Sequence, residues 1–220
     1  MKTPEPERIL LESKKGVYFP VPKVACSSIK SAICKELDID YGNNVHKAVP
    51  KIFDYKSEDY RDYFKFAFVR NPYHRLVSCY KSKIAKTKKN TPTIIDGVMR
   101  GMALRHPGMF YGGMPFDAFL ESVVEIDDKV ADDHFKSQHT FLYAEDNHTL
   151  LVNFVGKFET INEDYAYIAE TLQLSQASLG HFGNSTKKNK DIRDFYTNEM
   201  IIEVNQRFSK DFDLFGYDFW

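Results

Sequence analysis

Three stretches of the chain are apolar at almost every position, whereas the segments between them mix apolar and polar residues. The apolar stretches cover residues 16–21, 65–70 and 150–158, and they are rich in aromatic and β-branched side chains. Unbroken apolar runs of this length are typical of strands that are covered on both faces of a sheet. The pattern therefore predicts three buried strands.

Helical periodicity alternates with these strands. It is clearest after Asn71 and Pro72, which suit the N-cap and the first position of a helix. Apolar residues then recur at helical spacing, at Tyr73, Leu76, Val77, Tyr80 and Ile84. Other helices are predicted from Ser27 or Ser28 to about Leu37, and at about 116–125, 162–173 and 197–209. The alternation indicates an α/β fold with a mostly parallel central sheet that helices flank.

The length of 220 residues fits one domain, and no linker or repeat divides it. Residues 1–15 precede the first predicted strand and are expected to form an N-terminal extension. Residues 86–115 contain Pro, Gly and Met with poor periodicity. We predict a long loop there, which would contact the substrate, because long loops in compact domains are often functional.

The formal net charge of −1 gives no reason to expect binding to nucleic acid. The basic residues are nevertheless unevenly placed: residues 70–95 contain seven Lys or Arg and no acid, and a second basic group lies between Lys187 and Arg193. Such groups are usually solvated faces, but they could also form a field that attracts an anion.

Three features of the sequence bear on its location. No stretch is long enough to span a membrane, and the first ten residues are charged and Pro-rich, unlike a signal peptide. Three cysteines cannot all pair with one another, which suits a reducing compartment. We expect a cytoplasmic protein, and a lumenal catalytic domain cut from a longer secretory protein is the alternative.

The segment from Phe19 to Leu37 reads as a strand, a turn without glycine and a helix. The N-terminus of a helix offers unpaired N–H groups and a partial positive charge, which suit an oxyanion. Ser27 and Ser28 could cap the helix or donate to an anion, and Lys23 adds a charge. A capped helix beside a surface Lys is the alternative interpretation. The missing glycines disfavour a standard nucleoside triphosphatase.

A second anion site is predicted where the next strand ends. Arg70 closes that strand, so its guanidinium can reach the carboxyl edge of the sheet and bind a phosphate through two hydrogen bonds. Ser78 lies about two turns into the following helix and could add a hydroxyl. Two anion sites along one edge indicate a nucleotide with phosphates at two positions.

The segments "VPKVACSSIK" and "FAFVRNPYHRLVSCYKSK" resemble the two nucleotide-binding motifs of sulfotransferases that use 3′-phosphoadenosine 5′-phosphosulfate (PAPS). The segments "DDHFKSQHTFL", "NFVGKFETINEDYAYI" and the C-terminal third resemble the Golgi-type carbohydrate sulfotransferases that modify chondroitin and dermatan. The resemblance covers roughly residues 16–220. It implies a three-layer, P-loop-like α/β domain, PAPS as cosubstrate without a metal, and a hydroxylated acceptor, a glycan or glycoside.

The resemblance also implies roles for individual residues. The loop around the 5′-phosphosulfate would consist of Lys23, Val24, Ala25, Cys26, Ser27 and Ser28, with Lys23 stabilising charge on the departing phosphate. Cys26 would be a small residue that lets the backbone approach the phosphate, and not a nucleophile. Arg70 and Ser78 would bind the 3′-phosphate. A late loop would close over the cofactor through Ser185 and either Lys187 or Lys188, unless it is only an exposed basic turn.

Transfer to a hydroxyl requires a base that is neutral near pH 7, which favours a His or a carboxylate. His46 lies between the two motifs, an interval in which related glycan 2-O-sulfotransferases carry a catalytic His. His134 matches a His-aromatic pair of the chondroitin-type enzymes. Two other functions stay open: a P-loop-type kinase, although the Walker Lys-Ser/Thr is missing, and a non-catalytic protein that binds PAPS or a sulfated glycan.

Overall fold

The computed structural model of the chain describes residues 6–52, 54–85, 102, 105–146, 148–179 and 191–220. The chain divides into two compact units. The first unit comprises Met1–Arg70 and Gln138–Ser185, and the second comprises Asn71–Ser137 and Thr186–Trp220. Ser185, Lys187 and Lys188 lie outside the described residues, as does most of the predicted substrate loop.

The first unit contains a five-stranded mixed sheet in the order β3-β1-β2-β4-β5. Its strands are β1 (Arg8–Leu11), β2 (Gly16–Phe19), β3 (Lys51–Ile52), β4 (Phe64–Val69) and β5 (Phe154–Lys157). The three strands predicted from the apolar runs are β2, β4 and β5, which are adjacent and mutually parallel. β1 is antiparallel to both β2 and β3.

The described helices are α1 (Cys26–Glu36), α2 (Val45–Ala48), α3 (Pro72–Lys83), α4 (Phe116–Val124), α5 (His139–Leu142), α6 (Ile161–Thr171), α7 (Asn198–Arg207) and α8 (Ser209–Phe215). Short 3-10 helices occupy Glu12–Lys14, Glu58–Tyr60, Phe158–Thr160 and Ile192–Phe195. Each predicted helix is present, and its ends differ from the prediction by few residues. Together with the sheet they form the expected α/β fold. No helix within these described stretches is both long and apolar enough to cross a membrane.

The strand β1 is the main element that the sequence did not predict. It lies within the stretch expected to be an N-terminal extension, and two of its apolar side chains, Ile9 and Leu11, are fully buried. Arg8 is also buried: its Nη2 donates to the carbonyl of Phe141 at 2.9 Å, and its guanidinium lies over the ring of Phe19. Those contacts satisfy a charge that would otherwise be costly to bury.

Close packing between β5 and α6 explains a glycine in the middle of a strand. A Cβ atom on Gly156 would lie 2.6 Å from the ring of Phe68 and 3.0 Å from Cβ of Asp164. Asp164 in turn accepts from the N–H of Lys157 and from the hydroxyl of Thr160. Gly156 therefore permits the close approach of Phe68 and Asp164 to β5.

The second unit is built around an aromatic core that includes Tyr73 and the C-terminal residue. The rings of Tyr73 and Trp220 stack at 4.0 Å, and the hydroxyl of Tyr196 donates to the carbonyl of Tyr73 at 2.8 Å. The predicted cap of α3 is confirmed, because the side chain of Asn71 accepts from the N–H of Tyr73 at 3.0 Å.

Candidate functional site

The loop between β2 and α1 adopts a conformation that is unusual for a segment without glycine. Lys23 has φ 71° and Ala25 has φ 50°, both in the left-handed region. Non-glycine residues in this region are uncommon and cluster at functional sites. Backbone that alternates in this way can direct successive N–H groups towards one anion.

The start of α1 leaves several donors in this loop. The helix begins at Cys26 with Ala25 as its cap, so Ser27 and Ser28 lie in its first turn and do not cap it. The N–H groups of Ser28 and Ile29 donate to the carbonyl of Ala25. Within the stretches that the structure describes, the N–H groups of Val24, Ala25 and Ser27 donate to no protein acceptor. An oxyanion is a suitable partner for such groups.

The thiol of Cys26 points back into its own loop. Its Sγ donates to the carbonyl of Val21 at 2.7 Å and lies 3.6 Å from the hydroxyl oxygen of Tyr18. The thiol therefore links the start of the helix to the residues that precede the loop.

Arg70 extends from the end of β4 to this same loop. Its Nη1 lies 3.5 Å from the carbonyl oxygen of Lys23, and its guanidinium lies 4.1 Å from the ring centre of Phe158. Phe158 directly follows β5, and the loop containing Lys23 follows β2. The carboxyl ends of three parallel strands thus contribute to one site, where open α/β sheets bind their ligands.

Gln138 holds the backbone of Arg70 through both ends of its side-chain amide. Its Oε1 accepts from the N–H of Arg70 at 2.9 Å, and its Nε2 donates to the carbonyl of Arg70 at 2.8 Å. Gln138 is completely buried. The amide takes the place of a neighbouring strand at the position where Arg70 leaves the sheet, so it fixes the backbone from which the guanidinium extends.

His46 lies next to the loop, as part of a connected set of polar side chains. Its Nε2 is 3.1 Å from Oγ of Ser27, and its Nδ1 is 3.2 Å from Nζ of Lys30. Lys30 forms an ion pair with Glu7 at 2.5 Å, and Glu7 also pairs with Lys51 at 2.8 Å. The structure therefore brings the predicted residues Ser27 and His46 together.

His134 belongs to the second unit, where it forms a pair with a buried carboxylate. Its Nδ1 donates to Oδ1 of Asp132 at 2.8 Å, and its backbone N–H donates to the same oxygen at 3.0 Å. Burial raises the pKa of Asp132, but the hydrogen bonds and the charge interaction with His134, together with the charge of Arg105, outweigh it and leave this pKa below the ordinary value of 3.8. Because an ionised carboxylate only accepts, Nδ1 carries a proton, and Nε2 is the acceptor in the neutral form of the ring.

Two arginines, Arg75 and Arg207, hold the segment that carries His134. Arg75 donates from Nη1 to the carbonyl of Lys136 at 2.6 Å and from Nη2 to the carbonyl of Asp133 at 3.0 Å. Arg207 donates to Oδ1 of Asp128 at 2.6 Å and to Oγ of Ser137 at 2.9 Å. Arg75, which follows Arg70 in the second sequence motif, is thus a structural residue that fixes the backbone on both sides of His134.

Ser78 also lies in the second unit, in α3, where it is half-buried. Its role beside Arg70 stays a prediction, as do the roles of Ser185, Lys187 and Lys188. Within the described ranges, no group of three or more His, Cys, Asp or Glu side chains could hold a metal ion.

Sequence reasoning missed four polar residues of these sites: Glu7, Lys30, Gln138 and Asp132. The spacing of Asp132 and His134 in "DDHF" was a usable signal, because a carboxylate two residues before a His can fold back onto its ring. Lys30 was also visible, since it lies one turn after Ser27 in a predicted helix. Gln138 gave no signal, because its two bonds to Arg70 join residues that are 68 positions apart.

Comparison with known proteins agrees with the resemblance seen in the motifs. The profile described as "Sulfotransferase family" matches residues 8–218. The chain is 24% identical to carbohydrate sulfotransferase 10 of Xenopus laevis over 244 residues, which cover 96% of this chain and 67% of the relative. It is 26% identical to carbohydrate sulfotransferase 14 of Danio rerio over 223 residues, which cover 91% of this chain and 59% of the relative.

A third relative, carbohydrate sulfotransferase 11 of Mus musculus, is 23% identical over 239 residues, which cover 94% of this chain and 65% of the relative. The chain therefore spans about three fifths to two thirds of the length of these relatives. No solved structure gives a significant match.

Proposed function

Since the chain belongs to the sulfotransferase family, we propose that it transfers the sulfuryl group of PAPS to a hydroxyl of a carbohydrate. The relatives that match it are named carbohydrate sulfotransferases, which supports this class of acceptor. The proposal rests on the contact between the guanidinium of Arg70 and the glycine-free loop at Lys23. Residues from both nucleotide-binding motifs are in contact there, at the carboxyl edge of parallel strands.

In this proposal the loop and Arg70 bind the two anionic ends of the nucleotide. The N–H groups of the loop and the hydroxyl of Ser27 receive the 5′-phosphosulfate, and Arg70 binds the 3′-phosphate. The ring of Phe158 supports the planar guanidinium from one face, which limits the conformations that Arg70 must lose on binding. Gln138 in turn holds the backbone of Arg70 through two hydrogen bonds.

Bound PAPS supplies the group that is transferred in an in-line displacement. The acceptor oxygen forms a bond to sulfur, and the bond between sulfur and the 5′-phosphate oxygen breaks with its electron pair on the phosphate. Lys23 stabilises the negative charge that develops on this leaving group, and N–H donors of the loop share the task. The products are a sulfate ester and 3′-phosphoadenosine 5′-phosphate (PAP).

The proton of the acceptor hydroxyl must pass to a base. The sequence identifies His46 and His134 for this role, and a neutral histidine accepts such a proton through the ring nitrogen that carries no hydrogen. We propose that the base is a histidine or a carboxylate.

The proposal is tested by incubating the protein with ³⁵S-labelled PAPS and a panel of glycans and small glycosides, and by measuring label in the product. We expect transfer by the wild type. His134→Ala is assayed in parallel, and a loss of kcat of about 10²- to 10⁴-fold with unchanged PAP binding would identify His134 as the base. The exposed His148 gives a matched control, and His148→Ala should behave as wild type.

Two outcomes of this experiment would replace the proposal. Transfer of phosphate from γ-labelled ATP, with none of sulfate from PAPS, would indicate a kinase. Binding of PAPS or of a sulfated glycan without any transfer would indicate a non-catalytic binding protein.

A further inference from the structure

Glu7, Lys30, His46 and Ser27 form a hydrogen-bonded chain within the first unit that ends at the anion-binding loop. The successive distances are 2.5 Å from Glu7 to Lys30, 3.2 Å from Lys30 to Nδ1 of His46, and 3.1 Å from Nε2 of His46 to Ser27. Lys30 is 3% exposed, so this cation is almost completely removed from water. A buried Lys requires a reason, because burial of a charge is costly.

The donors and acceptors along this hydrogen-bonded chain are fixed from the Lys30 end, because an ammonium group has donors and no acceptor. The ammonium of Lys30 also donates to Oε2 of Glu7. Nδ1 of His46 must therefore accept from Lys30, which leaves the ring proton on Nε2. Nε2–H donates to Oγ of Ser27, so the hydroxyl hydrogen of Ser27 is directed away from the ring.

We propose that Lys30 is a positioning residue that fixes neutral His46 with its proton on Nε2, so that Ser27 presents its hydroxyl hydrogen to an oxyanion. The identity of that oxyanion as the 5′-phosphosulfate rests on the proposed function. His46 acts in this chain as a hydrogen-bond donor, and neither ring nitrogen takes a proton from the acceptor.

The surrounding charges support this direction. Burial raises the pKa of Glu7, but its hydrogen bonds to Lys30 and Lys51 outweigh that effect and leave the pKa lowered, so Glu7 is ionised at neutral pH. Lys51 is 40% exposed, whereas Lys30 is enclosed and faces both Glu7 and His46. Lys51 could neutralise Glu7 from the surface, so the burial of a second cation beside His46 points to a role in orienting the ring.

The tautomer of His46 is tested directly by long-range ¹H–¹⁵N NMR of the unliganded protein at about pH 8. The wild type should show the Nε2–H tautomer, and Lys30→Met should abolish the preference. Lys35→Met is a matched control, because Lys35 lies in the same helix but is exposed. An Nδ1–H tautomer in the wild type, or no change in Lys30→Met, would overturn the proposal.

A second pair of variants, at His46, distinguishes a hydrogen-bond donor from a general base. This pair gives a result even if Lys30→Met does not fold. The amide of His46→Gln can accept from Lys30 and donate to Ser27, but it cannot serve as a base. His46→Ala should weaken PAP binding about tenfold, and His46→Gln should restore part of that loss, because its amide can make both hydrogen bonds. Loss of kcat by 10²-fold or more in His46→Gln would show that His46 is the base. Wild-type behaviour of both variants would show that the hydrogen-bonded chain from Glu7 to Ser27 has no role in binding PAP.

Failure of the proposed function would be recognised separately. If the wild type does not bind PAP, the identity of the ligand is wrong, while the NMR result still decides whether Lys30 fixes the ring of His46.

Discussion

Several charged side chains in both units are held by groups that the chain brings from far away in sequence. Arg70 has its backbone held by Gln138 and its guanidinium placed against Phe158. Arg75 and Arg207 hold the segment around His134. Such contacts fix a long, flexible side chain before a ligand arrives, which lowers the entropy that binding must overcome.

The amide of Gln138 offers a test of this positioning. Gln138→Leu removes both bonds and leaves the buried N–H and C=O of Arg70 without their partner. We expect a loss of about 1–3 kcal/mol in the free energy of unfolding and about tenfold weaker binding of PAP, measured by urea denaturation and calorimetry.

The exposed Gln206 provides the control, and Gln206→Leu should change neither quantity appreciably. If Gln138→Leu lowers stability but binds PAP as well as wild type does, Gln138 is structural only and does not position Arg70.

Secondary-structure elements show which sequence signals were sufficient. The apolar runs predicted β2, β4 and β5, because strands buried on both faces admit few polar residues. The short strands β1 and β3 were not predicted. β1 has four residues and β3 has two, and segments this short show no recognisable hydrophobic period. The pairing of β1 with β2 is a tertiary event, and it is what delivers Glu7 to Lys30.

The segment between α4 and α5 has little regular structure and depends on its polar contacts. Asp128 accepts from Arg207 and from the N–H of Ser137 at 2.9 Å. Burial raises the pKa of Asp128, but these hydrogen bonds outweigh it and leave the pKa below the ordinary value of 3.8. A lowered pKa means that folding favours the carboxylate, so its contribution is complete above pH 3.8 and disappears as the pH falls through the lower value of the folded state.

Asp128→Asn should therefore destabilise the protein at pH 7 by about 1–3 kcal/mol. The difference from wild type should shrink as the pH falls below 3.8, because the wild type then loses the same carboxylate. Chemical denaturation between pH 7 and pH 3 measures this difference.

The neighbouring Asp133 is exposed, so Asp133→Asn should have little effect at any of these pH values. A difference between Asp128→Asn and wild type that stays constant or grows at low pH would contradict the assignment.

At the scale of the whole chain, sequence motifs and the hydrophobic pattern predicted one part of the candidate site and left another part open. Lys23 and Arg70 were selected because they follow the ends of predicted strands, and ligands bind at the carboxyl edge of a parallel sheet. In the structure these two residues are in contact. The hydrogen-bond partners of the two histidine rings did not follow from sequence. A ring tautomer depends on its partner, Lys30 for His46 and Asp132 for His134, and these partners are set by folding.

The central claim is that Arg70 and the loop at Lys23 bind a nucleotide with a 3′-phosphate. Calorimetric titration with PAP, and in parallel with ATP, tests it most directly on the wild type, Arg70→Ala and Arg61→Ala. Arg61 is the control, because its side chain is 69% exposed and pairs with Glu58 at the surface.

We expect the wild type and Arg61→Ala to bind PAP more tightly than ATP, and Arg70→Ala to lose about 1.5–3 kcal/mol of PAP binding, which is tenfold or more. Absence of PAP binding, a preference for ATP, or unchanged binding of PAP by Arg70→Ala would contradict the account.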